Sequence, residues 1–272
     1  YKFEDLDVKP NGRIYLHYRT LRTGFTSLLT TINNIINKLT ILILIETNIT
    51  NNENDLYSIN GFNSIFLNRD GNGGGIAVYI KENIAFTTIS LNVKSFETIQ
   101  IDLNVNNQII TLLPIYRPPS SNINEFLNEI DTTINSIKKK RELIIVGDMN
   151  IDILKLNNVT IKYIDMILSY GLQCVIKEVT REDINKNTRT CIDHMFIRNY
   201  KQPTQLHAAV IKTTISDHYS IFCCVESENH GSEKNPLQDM KFNNFKVNQK
   251  IQQINWNDTI QQNLNTNDLQ IL

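Results

Sequence analysis

The chain has 272 residues, of which 41% are hydrophobic and 20% charged, and its formal net charge is −1. This length permits a sizeable core, and the near-zero charge excludes a protein that binds nucleic acid through a uniform basic coat. Any DNA contact therefore has to come from local Lys and Arg patches. The four cysteines lack metal-binding spacing, which is typical of a reduced, intracellular protein. No apolar run approaches a membrane span, so no membrane association is predicted.

The first half of the chain contains strand patterns and one helix pattern. Residues 13–18 alternate as a half-buried strand does, and the apolar spacing over residues 25–39 predicts an amphipathic helix. Residues 41–45 form an apolar strand that ends at Glu46. Three glycines, Gly73 to Gly75, predict a tight β-turn or close backbone packing rather than a phosphate site, because no helix follows them. Further strands are predicted at residues 62–67, 76–81, 85–90, 96–103 and 108–116.

The second half contains the most informative strand end. The apolar run 143–146 predicts a buried strand, followed by Gly147, Asp148 and Asn150. Asp148 and Asn150 share one face on extended backbone and could grip a water, a metal ion or a phosphate, although a tight turn explains the same residues. Helices are predicted at residues 123–137 and 161–168. Strands are predicted at residues 172–176, 190–197, 206–211 and 219–225.

These elements predict one α/β domain, in which two sheets are faced by helices. The domain is predicted to span residues 13–226. Residues 1–12 are interpreted as the N-terminal fragment of a longer protein, because the chain begins with Tyr1. The polar segment 227–272 is interpreted as a linker or the start of a C-terminal region.

Polar side chains stand at the ends of five apolar runs, which turn composition alone does not explain. They are Glu46, Tyr116, Asp148, Asn150, Asp193, Asp217 and His218. Clustered carboxylates repel one another unless a cation neutralises them, and hard oxygen ligands favour Mg²⁺ or Mn²⁺. A histidine beside an aspartate adds an oriented acid, base or electrophile.

The order of these motifs resembles the endonuclease/exonuclease/phosphatase superfamily, and most of all the endonuclease domain of non-LTR (LINE-type) retrotransposons. The likeness runs over residues 14–225. Its carriers are Glu46-Thr47, GGGIAVYI, IYRPPS, IVGDMNID, Thr180-Arg181, CIDH and SDH. The resemblance implies the DNase I-like fold, a four-layer αββα sandwich of two mixed β-sheets flanked by helices.

The resemblance also implies roles for these residues. Glu46 resembles the principal Mg²⁺ ligand, and Asp217 resembles an aspartate that organises metal or water. Asp148 resembles the acid/base for the nucleophilic water or the leaving group, with Asn150 orienting the phosphate.

Three further residues resemble groups around the scissile phosphate. Asp193 resembles the carboxylate that fixes the imidazole of His218, while His218 and Tyr116 would contact the phosphate itself. The residues expected to contact DNA are Thr180, Arg181 and Arg117.

One position departs from the pattern. Retroelement domains carry Asn-x-Arg-Ser-Leu on the first strand, whereas residues 17–21 read HYRTL, with His17 in place of Asn. The role of His17 is left open. A protonated imidazole would oppose Mg²⁺, so activity is expected to fall as the pH drops below neutral.

The predicted function is a Mg²⁺-dependent phosphodiesterase, an endonuclease that nicks double-stranded target DNA for target-primed reverse transcription. Its expected partners are DNA and a reverse transcriptase domain of the parent polyprotein, and its expected location is nuclear. Two alternatives are kept: a catalytically inactive retroelement-derived DNA-binding domain, and a phosphomonoesterase of the same superfamily.

Overall fold

The computed structural model describes residues 12–19, 24–69, 73–199, 204–212 and 216–227. The proposed linker beyond residue 227 and most of the N-terminal fragment lie outside these residues. The strands are β1 (Gly12–Arg19), β2 (Ile41–Ile45), β3 (Phe62–Leu67), β4 (Ile76–Lys81), β5 (Ala85–Ser90), β6 (Glu97–Val105), β7 (Gln108–Tyr116), β8 (Glu142–Asp148), β9 (Gln173–Cys174), β10 (Arg181–Asp183), β11 (Thr188–Thr190), β12 (Asp193–Arg198), β13 (Thr204–Ile211) and β14 (Ser220–Ser227). The α-helices are α1 (Phe25–Ile32), α2 (Ile123–Ser136) and α3 (Asn158–Ser169).

The described strands form two mixed sheets and a short β10-β11 hairpin. The first sheet has the order β13-β14-β1-β2-β4-β3, and the second has the order β5-β6-β7-β8-β12-β9. Each sheet contains one parallel pair, β1 with β2 and β7 with β8, and its other pairs are antiparallel. Parallel neighbours end at the same sheet edge, so the residues that follow β2, β7 and β8 can meet there.

Three apolar clusters hold the layers together. The inner cluster fills the space between the sheets, with Ile43 and Ile221 from the first sheet and Val146 from the second. A second cluster packs α1 against the outer face of the first sheet, and a third packs α2 and α3 against the second sheet. The predicted four-layer αββα arrangement is confirmed.

Local structure differs from the sequence prediction in three places. The helix predicted over residues 25–39 ends at Ile32 and continues only as a 3₁₀ turn, Ile36–Lys38, because the intervening Asn33-Asn34 are weak helix formers. The segment between β2 and β3, for which the sequence predicts no helix, contains a 3₁₀ helix, Asn51–Tyr57. This helix begins with a capping box of Thr50 and Glu53.

The strand predicted at 190–197 is broken before Asp193. The backbone N–H groups of Ile192 and Asp193 both donate to the side-chain oxygen of Thr180. They are therefore not available for hydrogen bonds to a neighbouring strand, and the strand is interrupted there. Within the described part of the chain, no helix is both long and apolar enough to cross a bilayer.

Candidate active site

The candidate site lies where strands of both sheets end. Tyr116 is aligned with Asp148 across β7 and β8, and Asp148 is aligned with Asp193 across β8 and β12. The register therefore places three of the predicted residues in one row, separated by the ordinary spacing between strands. Glu46 follows β2, and Asp217 and His218 precede β14, on the first sheet.

Gly147 is what allows this row to form. A Cβ at this position would lie 1.8 Å from the backbone oxygen of Ile115, on the neighbouring strand β7. The sequence predicts that Gly147 follows the strand, but Gly147 lies inside β8 and pairs with Ile115. It permits close approach of two strands rather than a turn, and this approach aligns Tyr116 with Asp148.

Asp148 is a buried carboxyl group with an unusual pKa. Its side chain is 1% exposed, and its Oδ1 accepts a hydrogen bond of 3.0 Å from the backbone N–H of Asn150. Burial, followed by the negative charge of Asp193, raises the pKa of Asp148 to about 7, against the opposing charge of His218. A carboxyl group that titrates near neutral pH suits acid/base chemistry.

Asp193 and His218 form a buried pair that crosses from one sheet to the other. His218 Nδ1 lies 2.9 Å from Asp193 Oδ2, and both side chains are almost fully buried. Burial alone would lower the pKa of His218, but the charge and hydrogen bond of Asp193, with the charge of Asp148, raise it. Nε2 of His218 has no hydrogen-bond partner among the described residues. The ring is thus oriented by Asp193, with its second nitrogen available.

Glu46 and Asp217 are linked through Arg19, at the end of β1. Arg19 Nε donates to Glu46 Oε2 at 2.6 Å, and its Nη1 lies 3.4 Å from Asp217 Oδ1. Arg181 donates to the other Asp217 oxygen at 2.8 Å. Burial acts to raise the pKa of Asp217, but the hydrogen bond from Arg181 and the charges of His218 and Arg19 outweigh it, so the pKa is lowered.

Two predicted site residues have strained backbones. Glu46 and Asn150 have φ angles of 55° and 49°, in the left-handed region that residues with a Cβ seldom adopt. Such conformations persist only where the surroundings impose them, and they concentrate at functional sites. Around Glu46, the backbone N–H groups of Thr47 and Asn48 donate to the carbonyl groups of Gly75 and Gly74. This confirms close packing by the glycine segment.

Two residues predicted to contact DNA are buried in the protein. Arg117 is 5% exposed, and its guanidinium donates to the backbone oxygens of Met149 at 2.6 Å and Asn150 at 2.9 Å. Thr180 is fully buried, and its hydroxyl oxygen accepts hydrogen bonds from the backbone N–H groups of Ile192 and Asp193. Their donors and acceptors are engaged inside the fold, so these side chains position the Asp148–Asn150 turn and Asp193. Arg181 is partly exposed and bound to Asp217.

Glu97 and Arg19 were not predicted from the sequence. Glu97, the first residue of β6, pairs with Tyr116, and its Oε2 accepts from the Gly75 amide at 2.7 Å. It also borders a groove of about 400 Å³ that extends to Arg69 and Pro118. Glu97 follows no apolar run, and only its pairing with β7 could have identified it.

The hydroxyl of Tyr116 faces acidic groups. Burial, followed by a hydrogen bond to Glu46 and the charges of Glu46 and Asp148, raises the pKa of Tyr116. The hydroxyl therefore stays protonated at neutral pH and remains a hydrogen-bond donor.

His17 lies fully buried on β1, and neither ring nitrogen has a hydrogen-bond partner in the described part of the chain. Burial lowers the pKa of His17 to about 4, with the charge of Asp193 acting against this and that of His218 adding to it. The imidazole is therefore neutral at and well below neutral pH. The expectation that protonation of His17 reduces activity just below neutral pH is corrected accordingly, because burial excludes the charge.

The variant His17→Asn is expected to nick plasmid faster than the wild type and to depend less steeply on Mg²⁺ concentration. The reason is that the retroelement domains this chain resembles carry asparagine here, and its side-chain oxygen is a hard acceptor beside the metal site that a neutral, unpartnered imidazole cannot replace. Initial rates across a Mg²⁺ series measure both effects. Equal curves for the two proteins would show that position 17 does not influence the site.

The residues present fit a divalent cation. Glu46 and Asp217 offer hard carboxylate oxygens, and the single positive charge of Arg19 between them leaves a net negative charge that a cation can neutralise. The ligand atoms of Asp148, Asp193 and His218 lie within 4.8 Å of one another and form a second set that could hold an ion. In that set, however, His218 Nδ1 and Asp193 Oδ2 are engaged with each other. The predicted pair Glu46 and Asp217 remains the prediction for the metal ligands.

Comparison with known proteins finds one matching family model and solved structures that share the fold. A family model described as "Endonuclease-reverse transcriptase" matches residues 110–222. No curated protein matches the chain. The endonuclease domain of TRAS1, a telomere-specific non-LTR retrotransposon, superposes with a TM-score of 0.61 at 15% identity, covering 79% of this chain and 98% of that domain.

Two other solved structures share the fold. D. rerio TDP2, complexed with a single-strand DNA product, has a TM-score of 0.58 at 14% identity, covering 79% of this chain and 99% of its own. An AP endonuclease from Archaeoglobus fulgidus has a TM-score of 0.57 at 15% identity, covering 79% of this chain and 100% of its own. These findings confirm the DNase I-like fold and the predicted resemblance to the endonuclease/exonuclease/phosphatase superfamily.

Proposed function

We propose that this chain, which has the DNase I-like fold of a superfamily of nucleases and phosphodiesterases, is a divalent-metal-dependent endonuclease that nicks double-stranded DNA. The observation that carries the proposal is the row of Tyr116, Asp148 and Asp193, with His218 docked on Asp193 from the other sheet. An oriented imidazole beside a carboxyl group that titrates near neutral pH is suited to hydrolysis of a phosphate ester.

In the proposed mechanism, Asp148 holds and accepts the proton of the attacking water, because its pKa lies near neutral pH. His218, oriented through Nδ1 by Asp193, directs Nε2 towards a non-bridging phosphate oxygen. The neutral Tyr116 hydroxyl donates to the same phosphate group. Glu46 and Asp217 would hold Mg²⁺ or Mn²⁺, which supplies Lewis-acid stabilisation of the charge that develops on the phosphate oxygens.

The proposal extends to the biological setting. The family model names a reverse transcriptase, and the TRAS1 domain belongs to a non-LTR retrotransposon. We infer that the nick leaves a 3′-hydroxyl that primes reverse transcription, by a domain of the same polyprotein, on nuclear DNA. Residues 13–226 would form the endonuclease unit, and residues 227–272 would begin the connection to the next region.

The chain is expected to convert supercoiled plasmid to the nicked circle in Mg²⁺ and not in excess chelator. Extension of the nick by a DNA polymerase would establish the 3′-hydroxyl. The matched control is Asp131→Asn, which removes one carboxylate on the exposed face of α2 and should leave the rate unchanged.

The two alternatives give different outcomes in the same assay. Release of phosphate from inositol phosphates without nicking would favour the phosphomonoesterase. Plasmid binding in a mobility-shift assay without nicking would favour the inactive DNA-binding domain, and either result would refute the endonuclease.

A further inference from the structure

Arg19 occupies the position between the two carboxylates that are proposed to bind the metal. It donates to Glu46 Oε2 through Nε at 2.6 Å, and its Nη2 contacts the same oxygen. Its Nη1 lies 3.4 Å from Asp217 Oδ1. A permanent positive charge therefore sits inside the acidic cluster.

The two carboxylates depend on Arg19 to different degrees. Asp217 has a second cation, because Arg181 donates to its other oxygen at 2.8 Å. The ion pairs that Glu46 makes among the described residues are both with Arg19. A divalent cation that binds to Glu46 must therefore share this carboxylate with the guanidinium or displace it. Either event places like charges close together unless Arg19 gains a new anionic partner.

Arg19 can reach such a partner. Its side chain is 22% exposed, so the guanidinium borders solvent at the open end of the sheets. Arginine binds phosphate through two parallel hydrogen bonds, and duplex DNA would present phosphate groups at this edge. If Arg19 moved to a phosphate, Glu46 would be released for the metal. The carboxylate would then neutralise the cation, and the phosphate would neutralise the guanidinium.

We propose that Arg19 is a positioning residue that occupies Glu46 in the metal-free protein and transfers to a DNA phosphate when the metal binds, so that metal and DNA bind cooperatively. This inference rests on the proposed function for its ligand, DNA. It differs from a simple structural ion pair, because a structural pair would stabilise the fold without linking the affinities of two ligands. Thermodynamic linkage requires that metal and DNA raise each other's affinity by the same factor.

The test is calorimetric titration of Mn²⁺ into the protein, with and without a phosphorothioate duplex that resists cleavage. Arg19→Gln is expected to bind Mn²⁺ about tenfold more tightly than wild type without DNA, because a competing charge has been removed. The duplex should tighten Mn²⁺ binding about tenfold in wild type and have little effect in Arg19→Gln. Arg19→Lys keeps the charge but loses the two-nitrogen contact, and should lie between them.

The matched control is Arg69→Gln, which removes the same charge from Glu97, 3.4 Å away, rather than from Glu46. It should change Mn²⁺ affinity by about twofold or less, because Arg69 can affect the metal site only through its charge at a distance, and solvent ions screen that charge. Circular dichroism establishes that each variant is folded.

The proposal is overturned if Arg19→Gln binds Mn²⁺ no more tightly than wild type, if Arg69→Gln matches it, or if the duplex effect survives in Arg19→Gln. Absence of Mn²⁺ binding by all the proteins also overturns it. Nicking is measured separately. A chain that shows the Arg19-dependent coupling but nicks no plasmid would retain this inference and refute the endonuclease function.

Discussion

Replacing Asp148 by Asn is expected to lower the rate of plasmid nicking by about three orders of magnitude, the range typical of losing a general acid or base. The substitution keeps the shape of the side chain and removes only the group that can accept a proton. The rate is measured as the initial formation of nicked circle, beside the control Asp131→Asn. The wild-type rate should rise as the pH increases towards about 7, as Asp148 loses its proton, and the residual rate of the variant should lack this limb.

The same variant is expected to be more stable than the wild type at pH 8. The pKa of Asp148 is raised in the folded protein to about 7, whereas an unfolded chain gives about 3.9. The stability contributed by the protonated carboxyl is therefore fully present below about pH 4 and is lost as the pH rises to about 7. Asn carries no charge at any pH, so the melting temperature of the variant should exceed that of the wild type increasingly over this window. A destabilised variant would show that Asp148 is structural.

Asp193→Asn and His218→Ala are each expected to reduce nicking by about a thousandfold, and the double variant should be no slower than the worse single variant. The reason is the 2.9 Å hydrogen bond between the two side chains, through which Asp193 orients the ring and has its effect. A double-mutant cycle of the three nicking rates measures the coupling.

Two outcomes would contradict this interpretation. If the two losses multiply in the double variant, Asp193 and His218 have independent roles. If His218→Ala unfolds, as judged by circular dichroism, the pair stabilises the fold rather than the reaction. Full activity of Asp193→Asn would show that the ring is held in place by other contacts.

The fold and most of the site could be predicted because each candidate side chain marks the end of an apolar run. Glu46 directly follows β2, Asp148 is the last residue of β8 and Asp193 is the first residue of β12, and such positions are local information. The pairing of strands then brings these ends together. The resemblance carried by the motif order implied a four-layer sandwich of two mixed sheets, which periodicity alone could not.

The remaining features depend on contacts between distant parts of the chain. Arg19 and Asp217 are 198 residues apart, and the sequence around neither residue predicts their ion pair. Arg117 and Thr180 look like ordinary surface residues in sequence, yet packing buries them and uses their polar atoms internally. The neutrality of His17 likewise follows from burial, which requires knowledge of the opposing sheet.

The hydrogen bond between His218 and Asp193 joins the two sheets. The apolar layer between the sheets therefore controls the distance between these two side chains. Stacked sheets pack about 10 Å apart, a distance set by side chains such as Ile43, Val146 and Ile221. If the layer becomes thicker or the sheets slide, the imidazole of His218 and the carboxylate of Asp193 separate. The thickness of the apolar layer therefore sets the length of this hydrogen bond, and a change in core packing alters the bond without any substitution at His218 or Asp193.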